Sequence, residues 1–88
     1  MSETGMLAKS KAGHDKDKLY VIIRTGPSYV YLADGKIRTI NKPKKKKRKH
    51  IQLIKEEYDV KNLDDVKIRR ILDEWDEKKN REETKQED

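Results

Sequence analysis

Directly after Pro43 the chain reads Lys-Lys-Lys-Lys-Arg-Lys, six consecutive cations at residues 44–49. Like charges this close repel one another, and a folded interior does not hold an ammonium or guanidinium group that lacks a partner. The run must be solvated or neutralised, so any core has to be assembled from the segments on either side of it. Those segments offer little. Only 32% of the 88 residues are apolar, 45% are charged, Phe is absent, Trp75 is the single Trp and there are four tyrosines. That is material for one small, mostly aliphatic core, and it excludes a second globular domain.

Charge then divides the chain. Residues 1–54 carry 14 Lys and Arg against 4 acids, a net of +10, whereas residues 55–88 carry 9 against 13, a net of −4. The overall formal charge of +6 makes polyanions the first partners to consider. The absence of cysteine removes disulfide frameworks, thiolate zinc sites and thiol catalysis together. The longest near-continuous apolar stretch, residues 19–23, falls far short of the roughly 20 residues a bilayer-spanning helix requires. No apolar signal core follows the N-terminus. The expected setting is cytoplasmic, with no membrane partner.

Residues 7–40 have the texture of short strands separated by turns. Met6, Ala8 and Ser10 alternate with Leu7, Lys9 and Lys11, which gives a first strand with one basic face ahead of Gly13. Residues 19–25 form the clearest strand, with Val21 and Ile23 on one face and Tyr20, Ile22 and Arg24 on the other. After the turn at Gly26 and Pro27, residues 29–33 place Val30 and Leu32 opposite Tyr29 and Tyr31. Asp34-Gly35 then predicts a two-residue hairpin into a fourth strand at 36–40, and residues 50–54 alternate again. Five strands in roughly 50 residues predict a mostly β fold, a small bent barrel whose core is Leu7, Val21, Ile23, Val30, Leu32, Ile37, Ile51 and Leu53.

One C-terminal α-helix should follow. Asn62 is the expected N-cap, Asp64 and Asp65 suit the first turn, and Lys78 and Lys79 suit the end, which predicts a helix over 63–79. Leu63, Val66, Ile71, Leu72 and Trp75 gather on one stripe, with Ile68 somewhat off it. The domain plan is a disordered terminus at 1–5, the barrel at 6–54 with a flexible basic loop at 42–49, a linker and helix at 55–79, and a disordered charged tail at 80–88.

At Ala12-Gly13-His14-Asp15-Lys16-Asp17-Lys18, followed by Leu19-Tyr20-Val21-Ile22-Ile23, the sequence resembles a KOW motif. It is most similar to the small bacterial KOW-domain RNA-binding proteins related to KOW-containing large-subunit ribosomal proteins. Gly13, Asp15 and Lys16 match that pattern and His14 takes the usual basic position. Asp17 stands where a second glycine is customary, and Asp tolerates the left-handed backbone better than most residues. The likeness continues through an Ala-Asp-Gly segment at 33–35 and the basic stretch after Lys42. It implies an SH3-like barrel and an RNA-binding role connected with rRNA or the ribosome.

The residues themselves supply what RNA requires, cations for phosphates and aromatic faces for bases. Lys9, Lys11, His14, Lys16 and Lys18 surround the first loop. Arg38 and Lys42 belong to the expected fourth strand and its end, and Lys44, Lys45, Lys46, Lys47, Arg48 and Lys49 form the flexible arm. Tyr29 and Tyr31 are the better stacking candidates, with packing equally open to them. The basic run also reads as a solvated linker, or as a short basic nuclear-localisation signal. Trp75 fits a helix-to-barrel anchor. The carboxylates of the helix read as its solvated face, so no enzymatic activity and no cofactor or metal are expected. The alternative function is a protein-interaction adaptor, in which the acidic helix docks on a basic partner or gates the RNA surface.

Overall fold

The computed structural model describes residues 3–58 and 63–86. Five antiparallel strands, β1 (Met6–Ser10), β2 (Leu19–Thr25), β3 (Tyr29–Ala33), β4 (Lys44–Lys47) and β5 (Ile51–Glu57), form one sheet in the order β4-β3-β2-β1-β5. The sheet curls into a half-barrel, and among the described residues one α-helix, α1 (Asp65–Gln86), follows it. The molecule is mostly β, with the architecture of a small SH3-like barrel plus a C-terminal helix.

The alternation in β1 and β2 explains why this sheet buries both faces. Ala8, Tyr20, Ile22, Val30, Leu32 and Ile51 fill the concave interior. Leu7, Val21 and Ala33 point the opposite way and are covered by Ile68 of α1, with Ile71, Leu72 and Trp75 packed around that contact. The helix therefore roofs the outer face of the central strands. Its buried stripe runs Ile68, Ile71, Leu72, Trp75, the i, i+3, i+4, i+7 spacing of one helical face. Ile68 is thus the fully buried start of the stripe rather than off it, and Val66, which is 53% exposed, is the residue that lies outside.

Several expectations are corrected. Residues 36–40 form no strand, and Ile37 is 77% exposed. The reason lies at Asp34, whose Oδ1 accepts the backbone N–H groups of Lys36 and Arg38, both at 2.9 Å. That side-chain capture closes a local turn in place of a hairpin. The fourth strand is instead the basic run: β4 pairs with β3 through Tyr29↔Lys47, Val30↔Lys46, Tyr31↔Lys45 and Leu32↔Lys44, and Arg48 to His50 make a turn of 3₁₀ helix. The supposed flexible arm is an edge strand. In β5 Ile51 is buried, but Leu53 is 39% exposed, and it is Ile54 that reaches the helix-side cluster.

The ends differ as well. Glu3 to Gly5 are tied down rather than loose: the Gly5 N–H donates to the Ile22 carbonyl (2.8 Å), and its own carbonyl accepts from the Tyr58 N–H (3.1 Å). Asp64 caps α1 by accepting the Lys67 N–H at 2.8 Å, while the expected cap, Asn62, lies outside the described residues. The helix runs past Lys79 to Gln86, through most of the stretch given above to a disordered tail.

Candidate nucleic-acid interface

The loop between β1 and β2 is built around Asp15. Gly13 (φ +86°) and Asp17 (φ 73°) both occupy the left-handed region, a conformation glycine adopts freely and Asp tolerates better than most residues. The Asp17 N–H donates to the Ser10 carbonyl (2.8 Å) and the Ser10 N–H to the Lys18 carbonyl (3.0 Å), which closes the loop and turns the Asp15 side chain inward. Asp15 then accepts four side-chain donors: Ser10 hydroxyl at 2.9 Å, Tyr20 hydroxyl at 2.7 Å, Lys46 ammonium at 2.6 Å and Lys44 ammonium at 2.9 Å.

Lys44 and Lys46 take part because β4 alternates. They sit opposite Leu32 and Val30, on the interior side of the strand, and can leave that apolar wall only by reaching along it to the loop. The Lys46 side chain is 10% exposed, and its ammonium also donates to the Ala12 carbonyl at 2.9 Å. For Lys44 and Lys46 the partner is therefore internal, one carboxylate shared between two ammonium groups. Burial opposes the charge on Asp15, but the bonds from Lys46, Tyr20, Lys44 and Ser10 outweigh it and hold the carboxyl far below the usual carboxylate range. Burial and the bond to that carboxylate push the Tyr20 phenol above its ordinary range.

The remaining candidates separate into engaged and open groups. Lys18 pairs with the buried Asp34 at 2.7 Å. Burial disfavours the Asp34 charge, and Lys18 with the Lys36 and Arg38 N–H groups more than compensates, so its pKa is lowered. Lys9 stands 3.9 Å from Asp17. Arg48 pairs with Glu3 and donates to the Gly26 carbonyl at 2.9 Å. Lys11, His14 and Lys16 are exposed on the loop, Lys45, Lys47 and Lys49 on and just after β4, and Arg38 and Lys42 on the irregular segment before it. Through Lys46 the structure thus brings the loop and the basic run together, whereas Arg38 belongs to the Asp34 turn.

Tyr29 and Tyr31 lie on the outer face, half-buried, as their alternation with Val30 and Leu32 requires. Each ring already carries a cation: the Lys45 ammonium lies 4.3 Å from the Tyr29 ring centre and the Arg24 guanidinium 4.2 Å from that of Tyr31. Arg24 is the residue that sequence reasoning missed. Its signal was an arginine at a position alternation assigns to the interior, which foretells a break in register. Among the described residues no helix is long and apolar enough to cross a membrane. No protein-family model and no curated protein matches this chain.

Proposed function

We propose that this protein is a KOW-type RNA-binding module that works in the cytoplasm on ribosomal RNA or the ribosome, gripping RNA phosphates through the β1–β2 loop and the lysines of β4. The observation that carries this reading is the anchoring of the loop to the basic strand by Lys46, which donates to Ala12 and Asp15. Lys11, His14 and Lys16 are exposed on the loop that Lys46 ties to β4, and Lys45, Lys47 and Lys49 are exposed on and just after that strand. Lys44 and Lys46 both turn inward to Asp15, whose one carboxylate offsets one of their two charges, so the phosphate-binding set is smaller than the run of six suggests.

Taking Lys11, Lys16, Lys45, Lys47 and Lys49 as the contacts, log affinity should fall against log salt with a slope of about −3.5, at roughly −0.7 per contact for single-stranded regions. Binding of an rRNA-like hairpin should weaken about 100-fold between about 50 and 200 mM salt. Lys45→Gln and Lys47→Gln should each reduce the slope by about 0.7. Lys46→Gln should lower the melting temperature and leave the slope alone. Salt-independent or undetectable binding to both this hairpin and an unrelated duplex would overturn the reading.

A further inference from the structure

The register of β2 against β3 shifts between Ile22 and Arg24. Uninterrupted alternation would send Arg24 into the interior beside Tyr20 and Ile22. The bulge re-aims it to the outer face, opposite Tyr31, where its guanidinium lies over the ring. The same row continues across β3 to Lys45, which is paired with Tyr31 and reaches over Tyr29, and Lys47 stands opposite Tyr29. The outer face of β2, β3 and β4 thus alternates cations with aromatic rings. The helix rests on Val21 and Ala33 further along the same sheet, and Arg24, Lys45 and Lys47 stay exposed.

A surface for phosphates alone needs the cations and not the rings. A duplex keeps its base faces inside its own stack, so rings add nothing to binding it. An unpaired base offers a π face, and a guanidinium lying on a tyrosine presents its second face for stacking. Tyr29 and Tyr31 are two residues apart on one strand, about 6.7 Å, whereas nucleotides in a stacked helix rise about 3.4 Å each. Two bases engaged by these rings must therefore belong to an extended single strand.

We infer that this face is a platform for unpaired RNA nucleotides, with Arg24 on Tyr31 stacking one base, Lys45 moving from the Tyr29 ring to a phosphate so that Tyr29 stacks the next, and Lys47 meeting a phosphate beside it. The inference rests on the RNA-binding reading above and names the form of RNA that this side of the site takes.

The test uses the full chain with two probes, a short fluorescein-labelled oligoadenylate and a blunt RNA duplex of equal length, each titrated at two salt concentrations. Tyr31→Leu and Tyr29→Leu should each weaken oligoadenylate binding about tenfold, change duplex binding by less than about twofold, and leave the salt slope as it was because no charge is lost. Arg24→Gln should weaken oligoadenylate binding and also reduce its slope by about 0.7. Its side chain is exposed, so this variant decides the matter if either tyrosine variant melts early. Equal losses on both probes, or an oligoadenylate affinity that none of the three variants alters, would overturn the platform while leaving phosphate binding in place. Failure of the wild-type chain to bind oligoadenylate would overturn the platform alone if the rRNA-like hairpin is still bound, and failure on oligoadenylate, duplex and hairpin together would remove the RNA reading with it.

Discussion

Asp15 joins three parts of the chain, β1 through Ser10, β2 through Tyr20 and β4 through Lys44 and Lys46. Replacing it with Asn leaves two half-buried ammonium groups without their counter-charge, and breaking a buried pair from one side costs about 3 kcal/mol. Asp15→Asn should therefore lower the urea midpoint markedly, as followed by Trp75 fluorescence. The pH dependence has a definite sign. Asp15 and Asp34 have folded pKa values below their unfolded ones, so their stabilisation is present above the unfolded value of about 3.9 and is lost as pH falls below it. Wild-type stability should drop below about pH 4, and Asp15→Asn should flatten that limb; an unchanged acid limb would refute the assignment. Tyr20, with a raised pKa, contributes at the other end, its share being lost as pH rises past about 10. Part of this centre is legible in the sequence: Gly13 marks a left-handed turn, and Asp17 can serve where a glycine is usual. The clamp is not, because Asp15 and Lys46 are 31 residues apart and nothing in either neighbourhood announces the other.

At the level of elements, the sequence misplaces one strand and the structure shows why. Four lysines have poor strand propensity, and residues 36–40 have better. Tertiary context reverses the order. At an edge position lysines are tolerated and discourage pairing with other chains, and each inward lysine of β4 finds Asp15. Residues 34–42 are meanwhile held to the start of α1: Arg69 donates to the Gly35 carbonyl at 2.6 Å, and Asp65 accepts the Ile40 N–H at 2.9 Å. Gly35 sits at φ +78°, and a Cβ there would come within 2.4 Å of the Asp65 carbonyl oxygen and 2.8 Å of Arg69 Cγ. Both the backbone conformation and the approach of the helix thus demand glycine. Gly35→Ala should cost about 2–4 kcal/mol, against little for a Gly26→Ala control, whose added Cβ would meet its nearest atom at 3.6 Å. Equal thermal melts for the two variants would contradict this account of the junction. The Asp-Gly pair is a correct turn signal; a side-chain-capped turn replaces the hairpin where the helix, whose docking site no local pattern shows, occupies the space beyond.

For the molecule as a whole, the question is whether the acidic C-terminal part covers the sheet or guards it. The five strands alone would leave Leu7, Val21 and Ala33 in water, all of which are fully buried here under Ile68 and its neighbours. Each large side chain so exposed forfeits about 1.5–3 kcal/mol, and a remnant of under 60 residues has little stability in reserve. The helix makes its core contact through apolar residues, while Glu74 and Glu77 are exposed and Asp73 and Asp76 line a groove shared with Lys18 and Lys36. The basic edge is engaged instead by Asp15, Glu3 and Asp34, all from the strand-forming part of the chain. Charge segregation along the sequence is thus only in part a separation of surfaces: the acidic helix roofs the central strands and meets Lys18 and Lys36 across a groove, while the lysines of β4 lie at the sheet edge. Truncation after Tyr58 distinguishes cover from gate. As cover, loss of α1 abolishes the cooperative thermal transition seen by circular dichroism, and the hairpin affinity of the remnant becomes that of an unfolded basic chain. As gate, the truncated protein would melt within a few degrees of the full chain and bind the hairpin more tightly. The apolar contact through Ile68 makes the first outcome the expected one, and a folded, tighter-binding remnant would transfer the acidic helix from the structural to the regulatory part of the molecule.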